Sequence, residues 1–119
     1  MRRTRVAAGL VFGLIVGVGV ALFAAEKAEH PSALFKQYCA KCHGEDGKAE
    51  TDQGKKMAMR DISTAAWQAE FTDEKIKAAI NDGVKTEKDG KKKTMDPYKD
   101  KLPAEQISAL VGYIRTLKK

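Results

Sequence analysis

The sequence predicts an all-α domain of four or five short helices joined by long loops and wrapped around something other than its own side chains. Three observations carry that expectation. Apolar residues recur at helical spacing in several short windows, each with a recognisable start or stop, and no stretch alternates like a half-buried strand. Leu102–Lys119 carries the clearest single apolar stripe. Finally, apolar residues are few after the first 25 positions, and a domain of the remaining 94 residues buries too little surface to be comfortable alone.

The whole chain of 119 residues has room for one domain. That excludes long repeats, two-domain enzymes and a polytopic membrane protein. Two cysteines make at most one bridge, which excludes a disulfide-stapled fold.

Residues 1–25 stand apart. Arg2, Arg3 and Arg5 precede an unbroken run of 20 residues, Val6–Ala25, that are apolar or glycine. A basic stretch followed by an apolar one is a targeting signal and is set aside from the fold. It fits a cleaved signal peptide or an uncleaved membrane anchor. The run is longer than the usual apolar core of a signal peptide and is just able to span a bilayer. No A-x-A site ends it, and Gly9, Gly13 and Gly17 form a small-residue stripe that suits helix pairing. In both cases the arginines stay cytoplasmic and the rest of the chain is exported. The expected location is periplasmic, free or tethered to the inner membrane through residues 6–25. The domain at 26–119 holds all 16 acidic residues and 19 of the 22 basic ones, so its formal charge is +3 (19 minus 16) rather than the +6 of the full chain.

Pro31–Tyr38 reads as the first helix: Pro31 suits its first position, and Ala33, Leu34, Phe35 and Tyr38 give it an apolar face. Gly44–Gly54 is polar and glycine-rich and reads as loop. Asp61–Ala69 has Ile62, Ala65, Ala66 and Ala69 at helical spacing. Thr72 caps the next helix, Ile76, Ala79 and Ile80 form its buried face, and Gly83 stops it. Val84–Tyr98 shows no apolar period and is expected to be an extended loop. Leu102-Pro103 opens the last helix, with Ile107, Leu110, Val111, Ile114 and Leu117 in one stripe.

The chemistry lies in Cys39-Ala40-Lys41-Cys42-His43, the C-x-x-C-H pattern of c-type haem attachment. Two cysteines three apart share one face of a helical turn, so both sulfurs reach the vinyl groups on one side of a porphyrin. The next residue aims its imidazole at the iron. Covalent attachment also suits export, because a loosely held haem is lost outside the cytoplasm. Other readings of the motif fare worse. A structural zinc site needs four ligands, and only His30 remains as a usual one. A thioredoxin-like C-x-x-C wants a preceding strand, and none is expected. A lone Cys39–Cys42 disulfide leaves His43 and the thin core without a role.

With these residues in place the chain resembles the monohaem class I cytochromes c over nearly all of Ser32–Lys119. Phe35 stands four residues before Cys39, like that family's N-terminal helix aromatic. Asp61-Ile62-Ser63, Trp67, Phe71–Ile76 and Ile80–Gly83 resemble its middle segment. Thr94-Met95-Asp96-Pro97-Tyr98 with Leu102-Pro103 and Leu110–Leu117 resemble its axial-methionine loop and last helix. The family often has glycine eight before the first cysteine, where the terminal helices cross. Pro31 stands there instead, so Ser32, Ala33 or Gly112 is expected to supply the close contact.

The residues alone leave the second axial ligand open among Met57, Met59, Met95, His30 and the lysines, since a loop of about 14 residues at ~3.5 Å each can round a haem. Each methionine also suits a core gap. The resemblance implies Met95, ahead of the last helix, opposite His43. It further implies one covalent haem c, Trp67 and Tyr98 packed on the haem or bonded to a propionate, and a fold of class I cytochrome type. Trp67 fits an ordinary core position equally well. With both axial positions filled the expected function is one-electron transfer between periplasmic redox partners, not catalysis. The competing reading is a haem enzyme or gas-binding sensor with an open or displaceable sixth ligand.

Lys85, Lys88, Lys91, Lys92 and Lys93 crowd Val84–Thr94, offset only by Glu87 and Asp89, for a local charge of +3 (five minus two). Such a run suits docking of an acidic redox partner, and it equally suits plain solvated surface. An anionic membrane surface is a further possible partner. Nucleic acid is not an expected partner: the domain is exported and no aromatics interleave with the lysines.

Overall fold

A computed structural model describes residues 29–119 and the isolated positions 9, 13, 14, 17 and 19. The signal or anchor expected at residues 1–25 therefore lies outside the described residues, and among those described no helix is long and apolar enough to cross a membrane.

Helix α1, Pro31–Tyr38, starts where expected, with Pro31 at its first position and the His30 side chain accepting a hydrogen bond from the Ser32 N–H. It buries Leu34 and Phe35. Cys39 separates it from the short α2, Ala40–His43, so the C-x-x-C-H motif forms a turn at the end of the first helix. Helix α3, Asp52–Lys56, falls across the end of the expected loop, with Thr51 as its cap. Helix α4, Ala65–Glu70, begins four residues later than the spacing suggested, because the Thr64 side chain takes the cap by accepting from the Trp67 N–H. Helix α5, Asp73–Asp82, is capped by Thr72, buries Ile76 and Ile80 and stops at Gly83, as read from the sequence. Helix α6, Ala104–Thr116, follows Pro103 and buries Ile107, Leu110, Val111 and Ile114.

The all-α expectation needs correcting between α5 and α6. Val84–Lys88 (β1) and Lys91–Met95 (β2) pair as an antiparallel hairpin, so the domain is mostly helical, with six described helices and one small two-stranded sheet. The turn is Asp89-Gly90, with φ of 53° and 73°. Two consecutive positive φ values make the turn whose twist matches that of paired strands, and Asp-Gly is a preferred sequence for it. The hairpin has no apolar alternation because it stands out in water, with only Val84, Lys93 and Met95 partly buried. Its strands therefore carry no mark of burial in their sequence.

The core is one cluster in which α1 packs against α6 and α6 against α5. Phe35 and Leu110 sit at its centre, and the Phe35 ring meets Tyr113 at 5.3 Å between centroids. Gly112 does not make the helix crossing: a Cβ there would touch nothing within 4 Å.

Candidate haem site

The elements enclose a cavity of about 240 Å³ lined almost wholly by apolar groups. Its walls come from most of the described elements: Phe35 from α1, Cys39 from the junction between α1 and α2, His43 from α2, Trp67 from α4, Ile76 and Ile80 from α5, Met95 from β2 and Ile114 from α6. Three of the anticipated site residues, Cys39, His43 and Met95, thus meet on one cavity although Met95 is far from the motif in sequence. Trp67 lines it too, stacked on Phe71 at 4.8 Å. Cys42 is partly exposed and outside the lining.

Tyr98 also stands outside the lining. Its hydroxyl donates to the Tyr38 carbonyl at 3.0 Å and its ring meets Tyr38 edge-on. The Tyr98 N–H donates to the Ile80 carbonyl at 2.8 Å. Tyr98 therefore ties the chain after Met95 to both α1 and α5.

The turn bearing His43 is braced from α3. Thr51 donates its hydroxyl to the Cys42 carbonyl at 2.7 Å and accepts from the Gly54 N–H at 2.9 Å. The Ala49 N–H donates to the His43 carbonyl at 2.8 Å. Gly54 is required by this close approach: a Cβ there would press on the Ala49 carbonyl oxygen and lie 2.7 Å from that of Cys42.

Burial, and then the neighbouring Cys42 thiol, pushes the Cys39 thiol up to about 11. Burial likewise holds the His43 imidazole below its ordinary pKa. Its Nδ1 is buried with no hydrogen-bond partner. A neutral imidazole in an apolar pocket, beside two cysteines that form no disulfide, fits a ligand to a metal held by a flat apolar group. Among the described residues no cluster of His, Cys, Asp and Glu could hold a bare ion, so the donor set suits a haem rather than zinc.

The structure also brings further residues to the site, of which Arg60 alone was not singled out by the sequence. Met57 and Met59 both line the cavity, so all three candidate methionines border it. Arg60 and Lys93 are the cations of the lining. Arg60 is fixed by a two-pronged pairing with Glu70, at 3.1 and 2.6 Å, and lies 5.6 Å from the Phe71 ring centroid. His30 is exposed and caps α1.

Over residues 26–114 the chain matches the family described as cytochrome C oxidase, cbb3-type, subunit III. The chain belongs to this cytochrome c family. The solved structure of KustC0563 c-type cytochrome is similar to it at 38% identity and a TM-score of 0.64, covering 75% of this chain and 98% of that one. A point mutant of that cytochrome gives 38% identity and a TM-score of 0.62, covering 75% and 99%. Among curated proteins none matches the chain. A cytochrome c domain implies covalently bound haem c and electron transfer through it. The fold is accordingly of cytochrome c type, mostly helical, with the hairpin as the one sheet among the described residues.

Proposed function

We propose that this cytochrome domain is a one-electron carrier working outside the cytoplasm, with one haem tethered through Cys39 and Cys42 and its iron held by His43 and Met95. The observation that supports this best is the meeting of Cys39, His43 and Met95 on a single apolar cavity. When bound, haem c supplies a ferric/ferrous couple whose potential a thioether ligand raises.

The chain's own residues set the conditions. The two thiols fix the group in place in an exported protein. His43 presents a neutral imidazole, and the Thr51 and Ala49 hydrogen bonds hold the turn that carries it. With His43 and Met95 both holding the iron, no coordination site would be left for a substrate, which would favour a carrier over an enzyme or gas sensor. The walls are almost wholly apolar, so they offer a bound haem few polar groups that would have to reorient when its charge changes. Lys93, the cation of the lining without an ion-pair partner among the described residues, would be available to a porphyrin carboxylate, while Arg60 is held by Glu70.

Two measurements test this reading. Haem should stay with the denatured chain through acid–acetone extraction; its release would overturn the attachment. Met95→Ala should abolish the weak red sulfur-to-iron charge-transfer band of the oxidised protein, lower the midpoint potential and admit carbon monoxide to the reduced form. The same losses in Met57→Ala or Met59→Ala, with Met95→Ala unaffected, would overturn the assignment.

A further inference from the structure

The hairpin sorts the five lysines into two unlike faces. The register pairs Val84 with Met95, Thr86 with Lys93 and Lys88 with Lys91 on one face. It pairs Lys85 with Thr94 and Glu87 with Lys92 on the other. Side chains alternate across a strand, so Lys88, Lys91 and Lys93 share the face of Val84 and Met95, both of which line the cavity. That face has three lysines and no carboxylate. The other has Lys85 and Lys92 with Glu87, and Asp89 sits at the turn.

The pairing energetics differ in the same sense. Glu87 directly opposite Lys92 is a favourable cross-strand pair, whereas Lys88 directly opposite Lys91 sets like charges together, which costs pairing energy. The unneutralised charge is thus gathered on the hairpin face that meets the cavity through Val84, Lys93 and Met95, whereas the other face reaches it only at Thr94, and this comes at some cost to the hairpin itself. Lys91 lies roughly 14 Å along the strand from Met95, beyond the ~10 Å screening length at 0.1 M salt but within the ~30 Å at 0.01 M, so its reach is felt at low ionic strength.

We propose that the Lys88–Lys91–Lys93 face of the hairpin is the docking surface for an acidic redox protein, which it orients over the cavity mouth beside Met95. The proposal rests on the carrier reading and names the partner's chemistry and the face it meets. A partner presenting carboxylates is steered by this face and arrives with its own redox centre nearest the side from which the electron leaves. Lys85 and Lys92 lie off the docking surface.

The test uses the haem-loaded protein and two pairs of variants of equal charge change: Lys88→Gln with Lys91→Gln, and Lys85→Gln with Lys92→Gln. Glutamine removes charge without creating a repulsive carboxylate pair, and none of the four residues lines the cavity. The kinetic probe is hexacyanoferrate(III), which takes one electron from the ferrous protein and becomes hexacyanoferrate(II). At low ionic strength the Lys88/Lys91 pair should slow this oxidation about tenfold, with the difference vanishing in high salt, and the Lys85/Lys92 pair should slow it less than about twofold. The binding probe is the redox-inert trianion hexacyanochromate(III), whose paramagnetic broadening of amide resonances should centre on residues 88–95 and disappear in the Lys88/Lys91 pair. Equal slowing in the two pairs, no slowing in either, or broadening centred elsewhere overturns the proposal. So does co-sedimentation with phosphatidylglycerol vesicles that only the Lys88/Lys91 pair abolishes, which assigns the face to a lipid surface. A reversible one-electron titration in every variant checks the carrier reading separately.

Discussion

Truncating Phe35 to alanine should remove the centre of the contact between the first and last helices. Phe35 is 1% exposed, its ring lies 5.3 Å from that of Tyr113 at an interplanar angle of 53°, and it also lines the cavity. Deleting a buried phenylalanine side chain costs about 3–5 kcal/mol, because apolar surface is lost and the neighbours only partly collapse. About 0.5–1.5 kcal/mol of this belongs to the pairing with Tyr113. At ~0.05–0.15 kcal/mol per residue, a domain of this size is stable by about 5–14 kcal/mol, so the substitution removes a large part of the whole. Denaturant unfolding of the haem-loaded protein, followed by far-UV circular dichroism, measures the loss. Thermal unfolding should fall by at least about 12 °C, taking ~4 °C per kcal/mol at this size. A cycle with Tyr113→Ala should give a coupling of about 0.5–1.5 kcal/mol. A loss within about 0.5 kcal/mol is what an exposed site gives, and together with additive effects in the cycle it would refute the packing argument.

Gly54→Ala should fail to mature or lose well over 2 kcal/mol, because backbone carbonyls rather than flexible side chains stand in the way, whereas exposed Gly112→Ala should gain ~0.5–1 kcal/mol from helix propensity; equal effects in chemical unfolding would count against both assignments. Gln68→Ala should cost about 2–4 kcal/mol: Gln68 Nε2 donates to the Ile62 and Ile114 carbonyls at 2.8 and 3.1 Å, its Oε1 accepts from Arg115, and the unpaired groups left behind are buried. Gln68→Leu, which restores volume but no hydrogen bond, should recover little of that. The Ser63 hydroxyl, and to a lesser degree its N–H, hold the Asp61 carboxyl below its ordinary value, so its contribution is present above the unfolded-state pKa and lost as pH falls through the lower folded-state one. Asp61→Ala should therefore flatten the acid limb of the stability profile, and an unchanged limb in urea titrations from pH 6 to 3 would remove Asp61 from it.

The features legible from the residues alone were those written in local chemistry. The C-x-x-C-H spacing named the cofactor, since two sulfurs and an imidazole at that interval suit little else. Pro31, Thr72, Gly83 and Pro103 marked helix ends because caps and breakers act within a turn of chain. The stripe on α6 faced the core as its period required. The Asp-Gly turn was equally local, yet its flanking residues carry no apolar alternation, since the hairpin buries almost nothing. Only the tertiary structure decided what depends on residues far apart. It brought all three candidate methionines to one cavity with His43, placed Arg60 and Lys93 on its wall, and drew Tyr98 away to Tyr38. It joined Gln68 to Arg115 across 47 residues, a partly buried polar pair that no spacing announces. It also turned a run of lysines into two faces of different charge, because register is fixed by pairing, and pairing is a property of two segments rather than one.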